Sequence, residues 1–206
     1  MKNSKEVLVV GSGLSGLCVA YQFFRKGCAV TIIDNGVNHS SSVAAGMINP
    51  LVFRRMTKSW RLDEFMEYLL PFYTELETLT QSTFYNQLEI RRLFSSEQER
   101  GFWMEKQSLP EFYPYMHLIT AEDSSYNKTK NTYGSGRVKQ SAFIDTAVFL
   151  SSFKSYLSNE IVVLQEIADY HSFKNGEYKN TSYDHIVFCE GYLGLNNPFF
   201  NYLPLT

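Results

Sequence analysis

The chain has 206 residues, 44% of them hydrophobic, and its 19 basic side chains nearly balance its 21 acidic ones, giving a formal net charge of −2. This composition excludes a disordered or low-complexity chain, and the weak charge argues against nucleic acid as a partner. Its cysteines, Cys18, Cys28 and Cys189, are too few and too widely spaced for a disulfide framework or a metal site, so we expect reduced thiols in a cytoplasmic protein. No window offers about 18 consecutive apolar residues, so no membrane-spanning helix is expected.

The first forty residues follow the pattern of a dinucleotide-binding βαβ unit. An apolar strand over Glu6–Val10 leads into the glycine loop, which we define as residues 11–16 with the sequence GSGLSG. A helix over Leu14–Lys26 and a second strand over Ala29–Ile33, closed by Asp34, follow. In such units the glycines permit a tight turn, close approach of a pyrophosphate, and close packing of helix on strand. The helix N-terminus attracts the phosphates, and the acid accepts hydrogen bonds from ribose hydroxyls. The alternative is a glycine-rich turn without a ligand. The predicted contacts are Gly11, Ser12, Gly13, Leu14, Ser15, Gly16, Asp34 and Asn35.

The residues after Asp34 favour one dinucleotide over the others. An acid at this position disfavours a ribose 2′-phosphate, and residues 35–53 contain no Lys or Arg, so NADP is disfavoured. A plain NAD-binding domain would continue with another helix and strand. Here a polar loop over Asn35–Ser42 leads into the small, flexible segment Val43–Pro50, which suits contact with a flat ligand.

The segment Ser41–Pro50, with the sequence SSVAAGMINP, resembles the second flavin-contacting segment of the D-amino acid oxidase and glycine oxidase family. The resemblance implies FAD as the cofactor rather than NAD. It implies that the serine region meets the FAD pyrophosphate and that the Ala-Gly stretch passes the isoalloxazine ring. The contacts implied in this segment are Ser42, Ala44, Ala45, Gly46 and Met47.

The middle of the chain predicts part of an inserted α+β substrate domain, over residues 61–135. Its predicted elements are a helix over Leu62–Thr80 with a kink or break at Pro71, a strand over Leu88–Phe94, a helix over Ser95–Leu109 with a capping box at Ser96 and Glu99, a strand over Tyr115–Thr120, and a polar loop over Ala121–Ser135. The nearby cations Arg54, Arg55, Lys58 and Arg61 are either an anion clamp or a solvated basic surface.

After residue 136 the elements predict a return to the nucleotide-binding sheet. They are an extended segment over Val138–Ser141, a helix over Asp145–Leu157, a buried strand over Ile161–Leu164, a hairpin over His171–Tyr183 and an apolar strand ending at Gly191. This order matches the family, so residues 1–60 and 136–206 are assigned to a discontinuous, Rossmann-like FAD-binding domain.

The resemblance also implies contacts from this second part of the domain. Ile167 is implied at the adenine, and Cys189, Glu190 and Gly191 beside the flavin phosphates. Glu190 departs from the small residues that the family usually has there, and a carboxylate facing a pyrophosphate would repel it. Either its side chain points away, toward ribose or ribityl hydroxyls, or the loop is displaced.

The implied function is an FAD-dependent oxidoreductase that oxidises an amine or amino acid by hydride transfer to the flavin. Because the flavin carries the difficult step, no catalytic residue is assigned. The resemblance covers the front half of a family member, so we expect a truncated chain that binds FAD weakly, is inactive alone and self-associates through an uncovered sheet edge. The expected partner is a small-molecule amine. The alternatives are the flavin domain of a tRNA-modifying enzyme and a non-catalytic nucleotide-binding fragment.

Overall fold

The computed structural model describes residues 4–37, 40–119, 130 and 132–203. The chain divides into two compact units. Unit 1 contains residues 1–44, 79–83 and 146–206, and unit 2 contains residues 45–78 and 84–145. In sequence, unit 2 therefore begins before and ends after the predicted substrate domain over residues 61–135. The predicted roles of the two domains stay predictions.

Strands and helices are interspersed along the described residues. The elements in chain order are β1 (Glu6–Val10), α1 (Leu14–Arg25), β2 (Ala29–Asp34), the single-turn α2 (Ser40–Val43), β3 (Met47–Ile48), β4 (Leu51–Val52), β5 (Thr57–Lys58), α3 (Leu62–Thr80), β6 (Tyr85–Gln87), β7 (Ile90–Leu93), α4 (Glu97–Gln107), β8 (Met116–Ile119), β9 (Ser135–Val138), β10 (Ala142–Ile144), α5 (Thr146–Ser158), β11 (Val162–Gln165), β12 (Phe173–Lys174), β13 (Glu177–Tyr178), β14 (Thr181–Ser182) and β15 (His185–Phe188). Short 3₁₀ helices span Tyr170–Ser172 and Gly191–Asn196.

Unit 1 is built on a four-stranded parallel sheet in the order β11-β2-β1-β15. Both β1 and β2 lie between two partners, and in β1 Val7, Leu8 and Val9 are fully buried. Tyr21 of α1 packs edge-on against Phe153 of α5, with ring centroids 5.4 Å apart. The small antiparallel sheet β12-β13-β14 packs against the parallel sheet through an apolar cluster formed by Leu8, Val10, Ile33, Phe173 and Tyr178. The predicted α/β class with a parallel nucleotide-binding sheet is confirmed.

Two predictions about the later strands are wrong. The strand near residues 161–164 was predicted to be buried, but Val162 is 54% exposed and Leu164 41%. The reason is its place at the edge of the sheet, where β2 is its single partner among the described strands. The segment Val138–Ser141 was predicted as extended, but it joins two strands, and Gln140 there has a left-handed backbone with φ +57. Hydrophobic periodicity does not report sheet position or turn geometry.

Unit 2 contains a three-stranded antiparallel sheet, β7-β9-β8, whose core-facing side packs against α4. Trp103 of α4 is fully buried against Gly136 of β9, where any Cβ would lie 2.2 Å from the indole. The N-cap half of the predicted capping box is confirmed, since the Ser96 hydroxyl accepts a hydrogen bond from the Glu99 amide at 3.1 Å. The reciprocal half differs, because the Glu99 carboxylate accepts from the amide of Ser95 at 2.7 Å and not from that of Ser96. The helix α3 runs without a break through Pro71.

The predicted polar loop over Ala121–Ser135 lies largely outside the described residues. None of the helices in the described part of the chain is both long and apolar enough to cross a membrane.

Candidate dinucleotide-binding site

The glycine loop turns tightly at Gly11, directly after β1. Gly11 has φ +103, and its amide donates to the carbonyl of Ile33 at 2.8 Å. A Cβ at this position would lie 2.4 Å from the carbonyl oxygen of Cys189. Both the backbone conformation and the space therefore require glycine, as the sequence pattern predicts.

Helix α1 starts unusually close to the strand that precedes it. A Cβ on Gly16 would lie 1.9 Å from the Gly11 carbonyl oxygen, so only glycine permits this packing. Gly13 is the N-cap and has no side chain to cap the helix, and the first turn carries no acidic residue. The Leu14 amide donates to the Ser41 hydroxyl at 3.1 Å. The helix N-terminus thus presents amides and a positive dipole end without a competing carboxylate on its own first turn.

Asp34 is buried at the end of β2 and holds the glycine loop in place. One of its carboxylate oxygens accepts from the Ser12 amide at 2.5 Å and the other from the Gly36 amide at 2.6 Å. The acid predicted to bind ribose therefore also supports the backbone that would receive the phosphates.

A cavity of about 590 Å³ opens within unit 1 beyond the carboxyl ends of its strands. In open α/β sheets this is where nucleotides bind. Nine of the 17 residues predicted to contact FAD line it. The predicted residues in its lining are Gly11, Gly13, Ser15, Asp34, Asn35, Ile167, Cys189, Glu190 and Gly191.

Other predicted contacts do not line this cavity. Ser12, Leu14 and Gly16 belong to the glycine loop, whose other residues line the cavity. Ser42 does not line the cavity, but its neighbours Ser40 and Ser41 do. The single turn α2 explains this difference, because a helical turn and not an extended loop presents these serines. The FAD contacts predicted for Ser42, Ala44, Ala45, Gly46 and Met47 stay predictions.

Within unit 2, the segment after Ala44 has an evident structural role. The Ile144 amide donates to the Gly46 carbonyl at 2.9 Å, and a Cβ on Gly46 would lie 1.9 Å from the Ile144 carbonyl oxygen. Gly46 also has φ +65. Met47 begins β3 and is 61% exposed.

Glu190 is held by two hydrogen bonds inside unit 1. The Tyr170 hydroxyl donates to one carboxylate oxygen at 2.7 Å, and the side-chain amide of the fully buried Asn197 donates to the other at 2.7 Å. Burial, and then the bond to Glu190, raise the pKa of Tyr170. The carboxylate that departs from the family pattern thus fixes the loop after β15 against the segments on either side of it.

The cysteines near the glycine loop are inert. Ser15 donates to the Cys189 sulfur at 3.6 Å. Burial raises the pKa of Cys18 to about 12, and burial also raises the pKa of Cys189. Both side chains are therefore neutral thiols at physiological pH. Among the described residues, His, Cys, Asp and Glu side chains nowhere gather in threes as a metal site would require.

The basic cluster near residue 60 forms surface ion pairs. Lys58 pairs with Asp63, and Arg61 forms a short contact with Glu64 while its guanidinium lies over the Trp60 ring. For Lys58 and Arg61, these pairs favour the interpretation as a surface over the anion clamp.

Lys154 is a site residue that the sequence interpretation missed. It projects from α5, and its ammonium donates to the Ser12 hydroxyl at 3.0 Å. In the sequence it is the single cation of an otherwise apolar and hydroxylated helix, and that isolation was the available signal. A positive charge therefore lies beside the glycine loop, next to the residues of that loop that line the cavity.

These residues fit the nucleotide half of FAD. Gly11 and Gly16 permit the tight turn and the close packing of α1, and the N-terminus of α1 and Lys154 supply positive potential. The arrangement defines a dinucleotide-binding α/β protein. Residues 6–197 match the model of the DAO family, described as FAD dependent oxidoreductase. The chain belongs to this family, and its cofactor is FAD.

Solved structures of oxidases share the fold. Glycine oxidase from Geobacillus kaustophilus is 16% identical with a TM-score of 0.78, covering 98% of this chain and 60% of that one. Iminodiacetate oxidase from Chelativorans sp. BNC1 is 15% identical with a TM-score of 0.72, covering 93% of this chain and 56% of that one.

Among curated proteins, the nitric oxide reductase FlRd-NAD(+) reductase of Klebsiella pneumoniae subsp. pneumoniae is 39% identical over 82 residues. That match covers 40% of this chain and 20% of the relative. The chain thus matches about a fifth of this curated relative and about three fifths of the glycine oxidase chain.

Proposed function

We propose that this chain supplies the FAD-binding part of an oxidoreductase that oxidises an amine or amino acid. The observation that carries the proposal is the family match over residues 6–197, joined to a fold shared with glycine oxidase and iminodiacetate oxidase. Three free cysteines suit a reducing compartment, so the proposal includes a cytoplasmic location.

The residues of unit 1 would hold the ADP half of the cofactor. The first-turn amides of α1 would receive the pyrophosphate, the Lys154 ammonium would add positive charge through its bond to Ser12, and Asp34 would accept from the ribose. Both carboxylate oxygens of Glu190 already accept hydrogen bonds, from Tyr170 and from Asn197. Bound FAD supplies the hydride acceptor, and the protein supplies its orientation.

The test measures flavin reduction in the full gene product that contains this sequence. The FAD-loaded protein is mixed without oxygen with glycine, sarcosine, proline, D-alanine and iminodiacetate, and the visible absorbance of the flavin is followed. We expect at least one of these amines to bleach the flavin, and peroxide to form when air is admitted. Reduction by NADH with no reduction by any amine would contradict the proposal, since the enzyme would then be a pyridine-nucleotide-dependent reductase.

A pair of glycine variants links this activity to the glycine loop. Gly13→Val places a side chain where the pyrophosphate approaches, so we expect loss of FAD during desalting from a folded protein. Gly101→Ala is the matched control, because its Cβ would meet nothing within 4 Å. Unchanged flavin content in Gly13→Val would overturn the assignment of the loop.

For the 206 residues alone we propose weak FAD retention, no amine-dependent peroxide and self-association. Weak FAD retention and inactivity are supported by the coverage, since this chain matches only 60% of the glycine oxidase chain. Self-association is supported by the exposed apolar side chains of Val162 and Ile167, which are 54% and 74% exposed. Light scattering and a peroxide assay test it. A monomer with tightly bound flavin and turnover would contradict it.

A further inference from the structure

The chain contains two Asn-Gly pairs, Asn35-Gly36 and Asn175-Gly176, and both lie in unit 1. An asparagine followed by glycine is prone to deamidation, because glycine has no side chain to hinder attack by its own backbone nitrogen on the preceding carboxamide. The reacting atoms are therefore the glycine amide nitrogen and the asparagine side-chain carbonyl carbon. The two pairs differ in what holds these atoms.

The atoms of the first pair are held by hydrogen bonds. The Gly36 amide donates to the buried Asp34 carboxylate at 2.6 Å, and the Asn35 side-chain oxygen accepts from the Val37 amide at 3.0 Å. The first of these bonds is charge-assisted, and such bonds are stronger than neutral ones. The attacking nitrogen and the carboxamide must both be released before this pair can react.

The second pair forms the turn between β12 and β13. Asn175 has φ +50 and Gly176 has φ +82, the left-handed backbone of a type I′ turn, which favours Asn-Gly. Both residues are exposed. The Gly176 carbonyl accepts from the Tyr183 amide at 2.9 Å, but among the described residues neither the Gly176 amide nor the Asn175 carboxamide has a hydrogen-bond partner. Within the described part of the chain, nothing therefore holds the nucleophile or the group that it attacks.

We propose that Asn175 is a site of spontaneous deamidation. The Gly176 nitrogen gives up its proton and bonds to the side-chain carbonyl carbon of Asn175, and ammonia leaves from that carbon. Water then adds to either carbonyl carbon of the resulting succinimide and breaks its bond to the ring nitrogen. Opening at the side-chain carbon gives aspartate, and opening at the main-chain carbon gives isoaspartate. The net reaction converts carboxamide and water into carboxylate and ammonia, with no oxidation or reduction.

The turn must open before the nitrogen can reach the carboxamide, and this opening is local. Strands β12 and β13 have two residues each, and the two residues paired next to the turn, Lys174 and Glu177, are both exposed. Exposed segments with few buried contacts open at low cost without global unfolding. The tip of this hairpin therefore reaches the reactive conformation while the rest of unit 1 stays folded.

The isoaspartate product changes the wall of the nucleotide cavity. It places one extra methylene in the main chain of a two-residue turn, so the register that pairs Phe173 with Tyr178 is disturbed. Both side chains are buried, and the Tyr178 hydroxyl donates to the Glu166 carboxylate at 3.1 Å and accepts from the Asp169 amide at 3.4 Å. Glu166 lines the cavity, as do the next two residues. We therefore expect isoaspartate at position 175 to loosen this wall and weaken FAD retention.

The test incubates the full gene product at mildly alkaline pH, with and without urea, and maps both pairs by tandem mass spectrometry. In the folded protein we expect conversion at Asn175 to be roughly tenfold faster than at Asn35, because a hydrogen bond to a carboxylate protects the latter pair. In urea the two pairs should react at similar rates, because the fold causes the contrast. Asn175→Gly keeps a turn that glycine also favours and removes the carboxamide, so it is the matched control.

FAD retention after desalting measures the effect on the cavity. We expect retention to fall as the isoaspartate content of the wild type rises, and to stay constant in Asn175→Gly. Freshly purified Asn175→Asp carries the new charge without the extra methylene, so it should keep its flavin.

Three results would overturn the deamidation site: conversion at Asn35 as fast as at Asn175 in the folded protein, no conversion at Asn175, or a contrast that persists in urea. Full FAD retention by protein that carries isoaspartate at position 175, or loss of flavin from fresh Asn175→Asp, would refute the effect of the lengthened main chain on the cavity. None of these measurements uses amine oxidation, so failure of the proposed function leaves this inference standing.

Discussion

Replacing Gly16 by alanine tests whether close packing of α1 on β1 builds the nucleotide site. The added Cβ would lie 1.9 Å from the Gly11 carbonyl oxygen and 2.8 Å from its carbon. Both atoms belong to the backbone, so no side-chain rotation relieves the contact. An ordinary contact requires about 3.5–4.0 Å, so the start of the helix and the glycine loop must separate by more than an ångström.

The cost follows from what that separation disturbs. Overpacking in a dense interior costs about 1–3 kcal/mol, and a clash with fixed backbone belongs at the upper end of that range. The Gly11 amide donates to the Ile33 carbonyl, and the Ser12 amide donates to the Asp34 carboxylate at 2.5 Å. Moving the loop therefore also strains these two hydrogen bonds. We therefore expect a loss of about 3 kcal/mol in the free energy of unfolding. For a chain of this size that corresponds to a fall in Tm of about 6–12 °C.

Gly101→Ala is the matched control for this substitution. Gly101 lies inside α4, and its Cβ would meet nothing within 4 Å, so removing a helix-interior glycine should stabilise the protein by about 1 kcal/mol. Thermal and urea unfolding measure both variants, and desalting measures retained FAD. A Gly16→Ala variant that unfolds like the wild type and keeps its flavin would refute the packing argument. A gain in stability like that expected of Gly101→Ala would refute it as well.

The remaining predictions concern three side-chain contacts. Glu190→Ala takes an acceptor from the fully buried Asn197 amide, so urea unfolding should show a loss of about 1–3 kcal/mol; wild-type stability would contradict this role. Lys154→Met removes the cation beside the glycine loop, so titration should show FAD affinity roughly tenfold lower and less sensitive to salt; an unchanged affinity would mean that Lys154 acts only on the fold. Burial and a hydrogen bond to Asp63 raise the pKa of Tyr115 to about 12, so its contribution to stability is complete below about pH 10 and is lost as the pH rises through 12. Tyr115→Phe should flatten that part of the stability–pH curve, and an unaltered alkaline slope would exclude Tyr115 as its source.

The glycine loop and Asp34 could be predicted from sequence because their geometry is local. The bond from Ser12 to Asp34 joins residues 22 positions apart, within one βαβ unit whose elements each have a clear pattern. The partners of Glu190 could not be predicted in the same way. Tyr170 lies in a short 3₁₀ helix and Asn197 lies after another, and neither segment has a periodicity that assigns its side chains a direction. A charged residue in an unusual motif position indicated a departure from the family but not its cause.

Lys154 shows why a glycine-loop motif describes only part of an anion site. Its bond to Ser12 spans 142 residues of sequence and depends on the packing of α5 beside α1. That packing follows from the sheet order, because β11 follows α5 and pairs with β2, which follows α1. The same topology that returns the chain to the nucleotide-binding sheet therefore also brings a cation to its phosphate loop. The ammonium acts on the loop hydroxyl while Asp34 holds the amide of the same residue, so Ser12 is fixed from two sides. A loop held in this way meets an anionic ligand with little reorganisation, which is the condition for binding a pyrophosphate through backbone amides.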